Sequence, residues 1–318
     1  MVKDMTHQNI KLKEIHLAST QGFCAGVASA IEVVDRALVK FGTPLYVRHH
    51  IVHNTRVIED FEKKGVVFIE ELADVPENQT VIFSAHGTAP HEYVKAKQRG
   101  LTIIDATCPL VSKIHRQAVR FSERGVQTVL IGHLGHQELI GTSGYVNDDL
   151  LFIVETLDDV NALTLDSDKS IGYLTQTTLS VDDTQHLINR LRERYPDILG
   201  PPKADICYAT SNRQNSVKEL TDICDIIIVC GSPHSSNSNR LRETAQDYGV
   251  DAYIIDDVKE FDVSWLVGKQ RLGITSGASV PKIIVDELVD VVQTFCPATV
   301  LHRSEDIESG IKFPIPNF

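Results

Sequence analysis

Three of the six cysteines in this chain, Cys24, Cys108 and Cys207, occupy one setting: each follows an extended segment and precedes an amphipathic run of helical period. A thiol held at a helix N-terminus is biased toward thiolate, the form that binds metals and attacks electrophiles. Cys24 and Cys108 are 84 positions apart and Cys108 and Cys207 are 99 apart, unlike the close pairs of zinc ribbons. The residues by themselves leave two chemistries open. Three thiolates bind zinc with a fourth ligand, or hold an iron–sulfur cluster in which one iron lacks a cysteine and stays Lewis-acidic toward substrate. Cys224, Cys230 and Cys296 have no such shared setting, and read as buried packing residues, the usual fate of a cysteine.

A second group of polar residues follows strand-like runs. With 13 histidines present, His16, His115, His186 and His302 read as surface or packing residues. His53, His86 and His136 differ, because each sits at or just past a predicted strand end, where open α/β sheets build their sites. Glu138, two residues after His136 in GHLGHQE, is either a solvated carboxylate or a proton relay, with the hydroxyls of Thr175, Thr177 and Thr178 in the same copy. Residues 232–239, SPHSSNSN, could be a plain solvent loop. The segment leads straight into a helical run, however, so Ser235, Ser236 and Asn237 stand at a helix N-terminus suited to phosphate, and the turn ITSGASVP with Ser279 repeats that arrangement. No GxGxxG and no P-loop is present, so a dinucleotide or nucleoside triphosphate fold has no motif in its favour.

These residues recur with a period. Each cysteine-plus-helix segment is followed by an apolar run with a polar loop at its end (PLYVRHHIVHN, TVLIGHLGHQE, IIIVCGSPHSSNSN), then by a second run (VVFIEEL, LFIVETL, AYIIDDV). A third run ends in a small hydroxyl-rich turn: TVIFSAHGTAP, SIGYLTQTTLS or RLGITSGASVP. Alternating buried strands and helices predict an α/β protein with parallel sheets and right-handed crossovers, in which every polar signature lies beyond a strand's carboxyl end. Three such domains about a pseudo-threefold axis would bring three cysteines to one centre. The periodicity predicts an arm over 1–13, domains over 14–109, 110–203 and 204–297, and a C-terminal tail over 298–318.

Length and charge restrict the partners. The 318 residues suffice for two or three domains, and 42% hydrophobic with 23% charged residues excludes collagen, coiled coil and bulk disorder. A net charge of −12 with no basic stripe apparent along the sequence speaks against nucleic acid. The longest apolar stretch, ICDIIIVCG, is far too short to span a bilayer, and the first 20 residues carry no signal core, so a cytoplasmic location with reduced thiols is expected.

Nine segments in order, GFCAGV, VRHHIVHN, FSAHG, DATCPLV, GHLGHQE, TQTTLSVDDT, DICYATSNRQ, SSNSNRL and TSGASVP, resemble the 4-hydroxy-3-methylbut-2-enyl diphosphate reductases, the LytB/IspH family. The resemblance runs from Gly22 to Pro281 and implies a cloverleaf of three α/β domains around a [4Fe–4S] cluster held by Cys24, Cys108 and Cys207. It further implies the last step of the non-mevalonate isoprenoid pathway: two electrons and two protons remove the hydroxyl of an allylic diphosphate, giving isopentenyl and dimethylallyl diphosphate. By the same resemblance, His53, His86, His136, Thr177, Ser235, Ser236, Asn237 and Ser279 bind substrate, Glu138 with Thr177 supplies protons, and a ferredoxin or flavodoxin supplies electrons. Two rivals use the same cysteines. An iron–sulfur dehydratase would need no net electrons, and a redox sensor would have no use for the phosphate-type loops.

Overall fold

The computed structural model describes residues 10–201, 205–302 and 306–318. The first nine residues of the expected arm and the expected boundary at 203/204 lie outside the described residues. The strands are β1 (Glu14–Leu17), β2 (Leu45–Arg48), β3 (Val66–Ile69), β4 (Thr80–Phe83), β5 (Thr102–Asp105), β6 (Gln127–Ile131), β7 (Leu151–Val154), β8 (Ile171–Thr175), β9 (Ile226–Cys230), β10 (Asp251–Ile255), β11 (Arg271–Ser276) and β12 (Thr299–His302). The helices among the described residues are α1 (Ala25–Phe41), α2 (Thr55–Lys63), α3 (Pro90–Gln98), α4 (Pro109–Glu123), α5 (Gln137–Ser143), α6 (Leu157–Ala162), α7 (Val181–Arg194), α8 (Tyr208–Thr221), α9 (Ser236–Asp247) and α10 (Lys282–Phe295).

All three sheets are parallel, with orders β3-β2-β4-β5, β7-β6-β8 and β10-β9-β11-β1-β12. The α/β reading with parallel sheets therefore holds, and the repeat is topological: in each copy the second strand pairs with the first, and the first with the third. The strand leading into each cysteine behaves in a way the sequence did not disclose. β5, before Cys108, adds beside β4, and β1, before Cys24, adds beside β11 in the third sheet rather than the first. The segment before Cys207 is reduced to one bridge, Leu199 against Gly172 of β8. Part of the C-terminal tail forms the edge strand β12, registered on β1.

The chain forms two compact units. One comprises Met1–Cys24, His53–Val57 and Tyr208–Ile311, the other Ala25–Val52, Ile58–Cys207 and Lys312–Phe318. In the first, the five-stranded sheet is covered on both faces. Ile226, Ile228 and Cys230 of β9 pack into one core with Leu288 and Val292, while Ile227 and Val229 pack into another with Val217, Leu220 and Leu241. This is why β9 reads as an unbroken apolar run. In the second unit, Val129 and Ile131 of β6 meet Leu187 and Leu191 of α7, and Leu130 meets Ile114, Ala118 and Phe121 of α4.

Local signals place the helix starts. Pro109 opens α4 immediately after Cys108, a position where its fixed φ and missing N–H cost nothing. Ser180 caps α7 by accepting from the Asp183 N–H, with acidic residues in the first turn and Arg192 and Arg194 in the last, in line with the helix dipole. The outward side of α4 corrects the charge reading: Lys113, Arg116, Arg120 and Arg124 are all exposed and fall on one helical face. The net charge of −12 had concealed a local basic stripe.

Candidate functional site

Each of the three cysteines is tied to the protein by the same backbone bond. Cys108 N–H donates to the Ala85 carbonyl, Cys207 N–H to the Thr177 carbonyl and Cys24 N–H to the Ala278 carbonyl, all at 3.1 Å. Ala85, Thr177 and Ala278 are each the second residue past the end of β4, β8 and β11 respectively. Each cysteine thus stands between the last strand of one copy and the first helix of the next, and all three are half-buried. Cys224 and Cys230 are buried, and burial pushes the Cys230 thiol up to about 12, as expected of an inert packing residue. Among the described residues, no group of three or more His, Cys, Asp or Glu side chains gathers closely enough to hold a single metal ion.

The loop before Cys24 is held in place from a distance. Gly22 adopts φ +79°, a conformation that favours glycine, and its N–H donates to Ser276 Oγ at 3.1 Å. Its carbonyl accepts from Arg213 Nη2 at 2.9 Å. Arg213 is fully buried, and its Nη1 lies 3.0 and 2.9 Å from the two carboxylate oxygens of Glu308. Neither residue was singled out from the sequence. A lone arginine inside the weakly charged run YATSNRQNS was the available signal.

In the second unit, Glu138 is the focal group. It lies in the first turn of α5 and is 3% exposed. Its Oε1 accepts from the Thr177 N–H and its Oε2 from Thr177 Oγ1, both at 2.7 Å. Burial lifts the Glu138 carboxyl to about 7 against the opposing pull of these two bonds, and Asp205 adds to the rise. A carboxyl with that value is a proton donor near neutral pH. The Thr177 backbone serves both neighbours, since its carbonyl accepts from Cys207 and its N–H binds Glu138.

The histidines of this unit lie close by. His136 caps α5, its Nδ1 accepting from the Glu138 N–H at 3.1 Å, which leaves the proton of a neutral ring on Nε2. The rings of His86 and His136 sit edge to face, 6.0 Å apart, and His86 Nδ1 is 3.3 Å from Ser84 Oγ. Gly87, next to His86, has φ +87°, and a Cβ there would lie 2.5 Å from the His115 ring. Gln176, 2% exposed and overlooked in the sequence, ties the two loops together. Its Oε1 accepts from the His133 N–H at 3.1 Å and its Nε2 donates to Thr178 Oγ1 at 2.8 Å.

In the first unit, the neutral donors cluster. Ser235 caps α9 by accepting from the Ser238 N–H, Ser236 follows it half-buried, and Asn237 is 5% exposed. Asn237 Oδ1 accepts from the Ala278 N–H at 2.9 Å and its Nδ2 donates to Thr210 Oγ1 at 3.2 Å. Ser279 Oγ donates to the His53 carbonyl at 2.9 Å. Gly231 and Gly277 both face Ser238 Oγ so closely that a side chain at either would overlap it. Of the residues expected to bind substrate, His53, Ser235, Ser236, Asn237 and Ser279 belong to this unit, and His86, His136 and Thr177 to the other.

Parallel α/β modules with a cysteine at each strand-to-helix junction and a buried carboxyl raised to about 7 set thiols and a protonatable group at the strand ends, the layout of an α/β enzyme. The family is narrower. The sequence matches the LytB protein family over residues 15–293, and the chain belongs to that family. It is 49% identical over 303 residues to a protein of Azoarcus sp. (strain BH72), covering 95% of this chain and 96% of that one, and 48% identical over 306 residues to one of Pseudomonas entomophila (strain L48), covering 95% and 97%. Both relatives are named 4-hydroxy-3-methylbut-2-enyl diphosphate reductase. Among solved structures, the E-1-hydroxy-2-methyl-but-2-enyl-4-diphosphate reductase of Plasmodium falciparum matches with a TM-score of 0.93 and 37% identity, over 96% of each chain. A second, described as (E)-4-hydroxy-3-methyl-but-2-enyl diphosphate reductase, the terminal enzyme of the non-mevalonate pathway, matches with a TM-score of 0.63 and 29% identity, over 89% of this chain and all of the other.

Proposed function

We infer that this chain catalyses the reductive dehydroxylation of 4-hydroxy-3-methylbut-2-enyl diphosphate to isopentenyl and dimethylallyl diphosphate, the last step of the non-mevalonate pathway. The observation that carries the reading is the Thr177 junction, where one residue binds a carboxyl of pKa about 7 through its N–H and hydroxyl and anchors Cys207 through its carbonyl. The proposed proton donor and the proposed cluster ligand are thus both bonded to Thr177.

Cys24, Cys108 and Cys207 would be the ligands of a [4Fe–4S] cluster in this reading. Their fit rests on the shared backbone anchor, the half-burial of all three and the soft thiolate donor set. A grouping tight enough for one ion would not be required of three thiolates that hold a multinuclear cluster. The bound cluster supplies electrons one at a time and an open Lewis-acidic iron.

The remaining chemistry belongs to side chains. His53, His86, His136, Ser235, Ser236, Asn237 and Ser279 bind the diphosphate, a set of neutral hydrogen-bond donors suited to an anion in a protein of net charge −12, which would not attract it from afar. Glu138 holds a proton at its carboxyl, passes it to Thr177 Oγ, and that hydroxyl gives up its own hydrogen to the departing substrate oxygen. Hydroxide is a poor leaving group, so this proton sets the rate of C–O cleavage.

An acidic one-electron carrier, a ferredoxin or flavodoxin, is the electron source, and the protein works in the reducing cytoplasm. Among the described residues, no helix is long and apolar enough to cross a membrane. Anaerobic purification tests the whole reading: the protein should be brown, contain iron and sulfide, and convert substrate to both products with dithionite as reductant. A colourless zinc protein, or turnover without electrons, overturns it.

A further inference from the structure

The basic face of α4 lies outside the catalytic groups described above. Lys113, Arg116, Arg120 and Arg124 recur at i, i+3, i+7 and i+11 and are all exposed. Eleven residues of helix place them along roughly 16 Å. Lys113 meets the buried Asp205 carboxylate at 3.4 Å, whereas among the described residues no carboxylate lies within ion-pair distance of Arg116, Arg120 or Arg124. The face borders a cavity of about 540 Å³ whose other side is the apolar and backbone surface of Leu199, Gly200 and Pro201.

The repeat provides an internal control. α1 and α8 follow Cys24 and Cys207 as α4 follows Cys108, but Arg36 of α1 is paired with Glu32 at 2.7 Å, and Arg213 of α8 is buried against Glu308. Among the described residues of these three helices, the second copy alone carries a row, Arg116, Arg120 and Arg124, with no carboxylate at ion-pair distance. A favourable helix-dipole term accounts for Arg120 and Arg124 near the C-terminus, but not for Lys113 and Arg116 in the first half. In a protein of net charge −12, such a row marks a place where negative charge is received.

We propose that the Lys113, Arg116, Arg120 and Arg124 face of α4 docks a small acidic electron-carrier protein, with the Leu199–Pro201 side of the cavity receiving an apolar residue ringed by its carboxylates. The proposal rests on the reductase reading. Removing a hydroxyl as water consumes two electrons and two protons, so a one-electron carrier is oxidised at each of two successive encounters per turnover. α4 begins at Pro109, immediately after Cys108; Lys113 lies about 8 Å of helix rise from Cys108, and Arg116, Arg120 and Arg124 follow at about 12, 18 and 24 Å. A carrier seated here would approach the ligand end of its helix, which gives the stripe its purpose and favours a protein over a nucleic acid.

The test uses the intact protein and a plant-type [2Fe–2S] ferredoxin as probe. Its dissociation constant is measured by calorimetry at about 0.01 M and about 0.15 M salt, where the Debye length falls from roughly 30 to 8 Å. Arg116→Glu with Arg120→Glu should weaken ferredoxin binding by at least about tenfold at low salt and flatten the salt dependence, since the two charges then repel the carrier. The same variant should raise the KM for ferredoxin while leaving dithionite-driven turnover and cluster absorbance unchanged. Arg116→Lys with Arg120→Lys should bind nearly as the unmodified protein does. Unchanged ferredoxin affinity in the Glu variant overturns the proposal, as does an arginine-dependent affinity for a single-stranded oligonucleotide without affinity for ferredoxin. If dithionite drives no substrate reduction in the unmodified protein, the reductase reading falls, and the calorimetry still decides the docking face by itself.

Discussion

The turn after β8, residues 176–178, and the turn after β11, residues 277–279, stand at the same point of the repeat and hold different groups. Both offer a carbonyl to a cysteine N–H at 3.1 Å. Around that shared bond, the first turn surrounds an ionisable group, Glu138, whereas the second is held by the neutral amide of Asn237 and carries the hydroxyl of Ser279. The scaffold fixes where a loop ends, and under the proposed function the side chains on it would divide the chemistry into proton transfer on one and anion binding on the other.

The sharpest way to break this comparison is to remove what the two turns share. Cys24→Ser, Cys108→Ser and Cys207→Ser should each lose the intact cluster and essentially all activity, as iron and sulfide analysis will show. Cys224→Ser and Cys296→Ser should keep both. If Cys224→Ser strips iron as fully as Cys108→Ser, the common anchor has no bearing on metal binding.

Next in size is the proton. Glu138→Gln preserves shape and should lower dithionite-driven turnover by about a hundredfold or more, the low end expected for a positioned acid, with the cluster retained. In the unmodified protein, turnover should fall as pH rises through about 7, because the donor is then ionised. Stability carries the same sign. The folded pKa of about 7 exceeds the ordinary 4.5, so the native state binds the extra proton between those values, and unfolding free energy decreases as pH rises across that window. Glu138→Gln should flatten that slope in denaturant titrations at several pH values. A slope unchanged by the substitution places the raised carboxyl elsewhere.

Asn237→Ala probes the other turn. It removes the acceptor for the Ala278 N–H and the donor to Thr210 Oγ1, an amide that the proposed function assigns to the diphosphate, so substrate affinity should fall by roughly 1.5–3 kcal/mol, as for a bond to a charged group. Turnover at saturating substrate should change far less than in Glu138→Gln. Should kcat collapse with KM unaltered, the division between the two turns is wrong.

Much of this was legible before any coordinates. The three copies, their strand sequence and the loops at the strand ends follow from period and turn chemistry, and most clearly at β6 and β9, which are buried along their whole length and whose apolar runs cannot be mistaken for amphipathic surface. What stayed hidden depends on pairing across long separations. β1 leaves its own copy for the sheet of β11, as β5 adds beside β4, because the strands before Cys24 and Cys108 extend the preceding sheet, a pairing that no local pattern expresses. Gln176 bridges two loops, and Glu308 reaches Arg213 from 95 residues away, so neither announces itself by spacing. The α4 stripe was readable at i, i+3, i+7 and i+11, and was masked by counting charge over the whole chain instead of by helical face.

The smallest expected effect belongs to Ser279. Its hydroxyl donates to the His53 carbonyl, which joins the turn after β11 to the loop carrying His53 within one unit. Ser279→Ala removes a neutral donor and leaves that carbonyl to find another partner, a change worth about 0.5–1.5 kcal/mol. Because Ser279 is 8% exposed and lies next to Ala278, whose carbonyl accepts from the Cys24 N–H, the loss acts either on substrate or on the cysteine turn. Two ligands separate these. Calorimetry with the diphosphate substrate and with its diphosphate-free alcohol should show a severalfold weaker affinity for the first and no change for the second, with iron content intact. Equal weakening of both ligands, or loss of iron, would assign Ser279 to the architecture of the Cys24 turn and leave anion binding to the α9 N-terminus and the histidines.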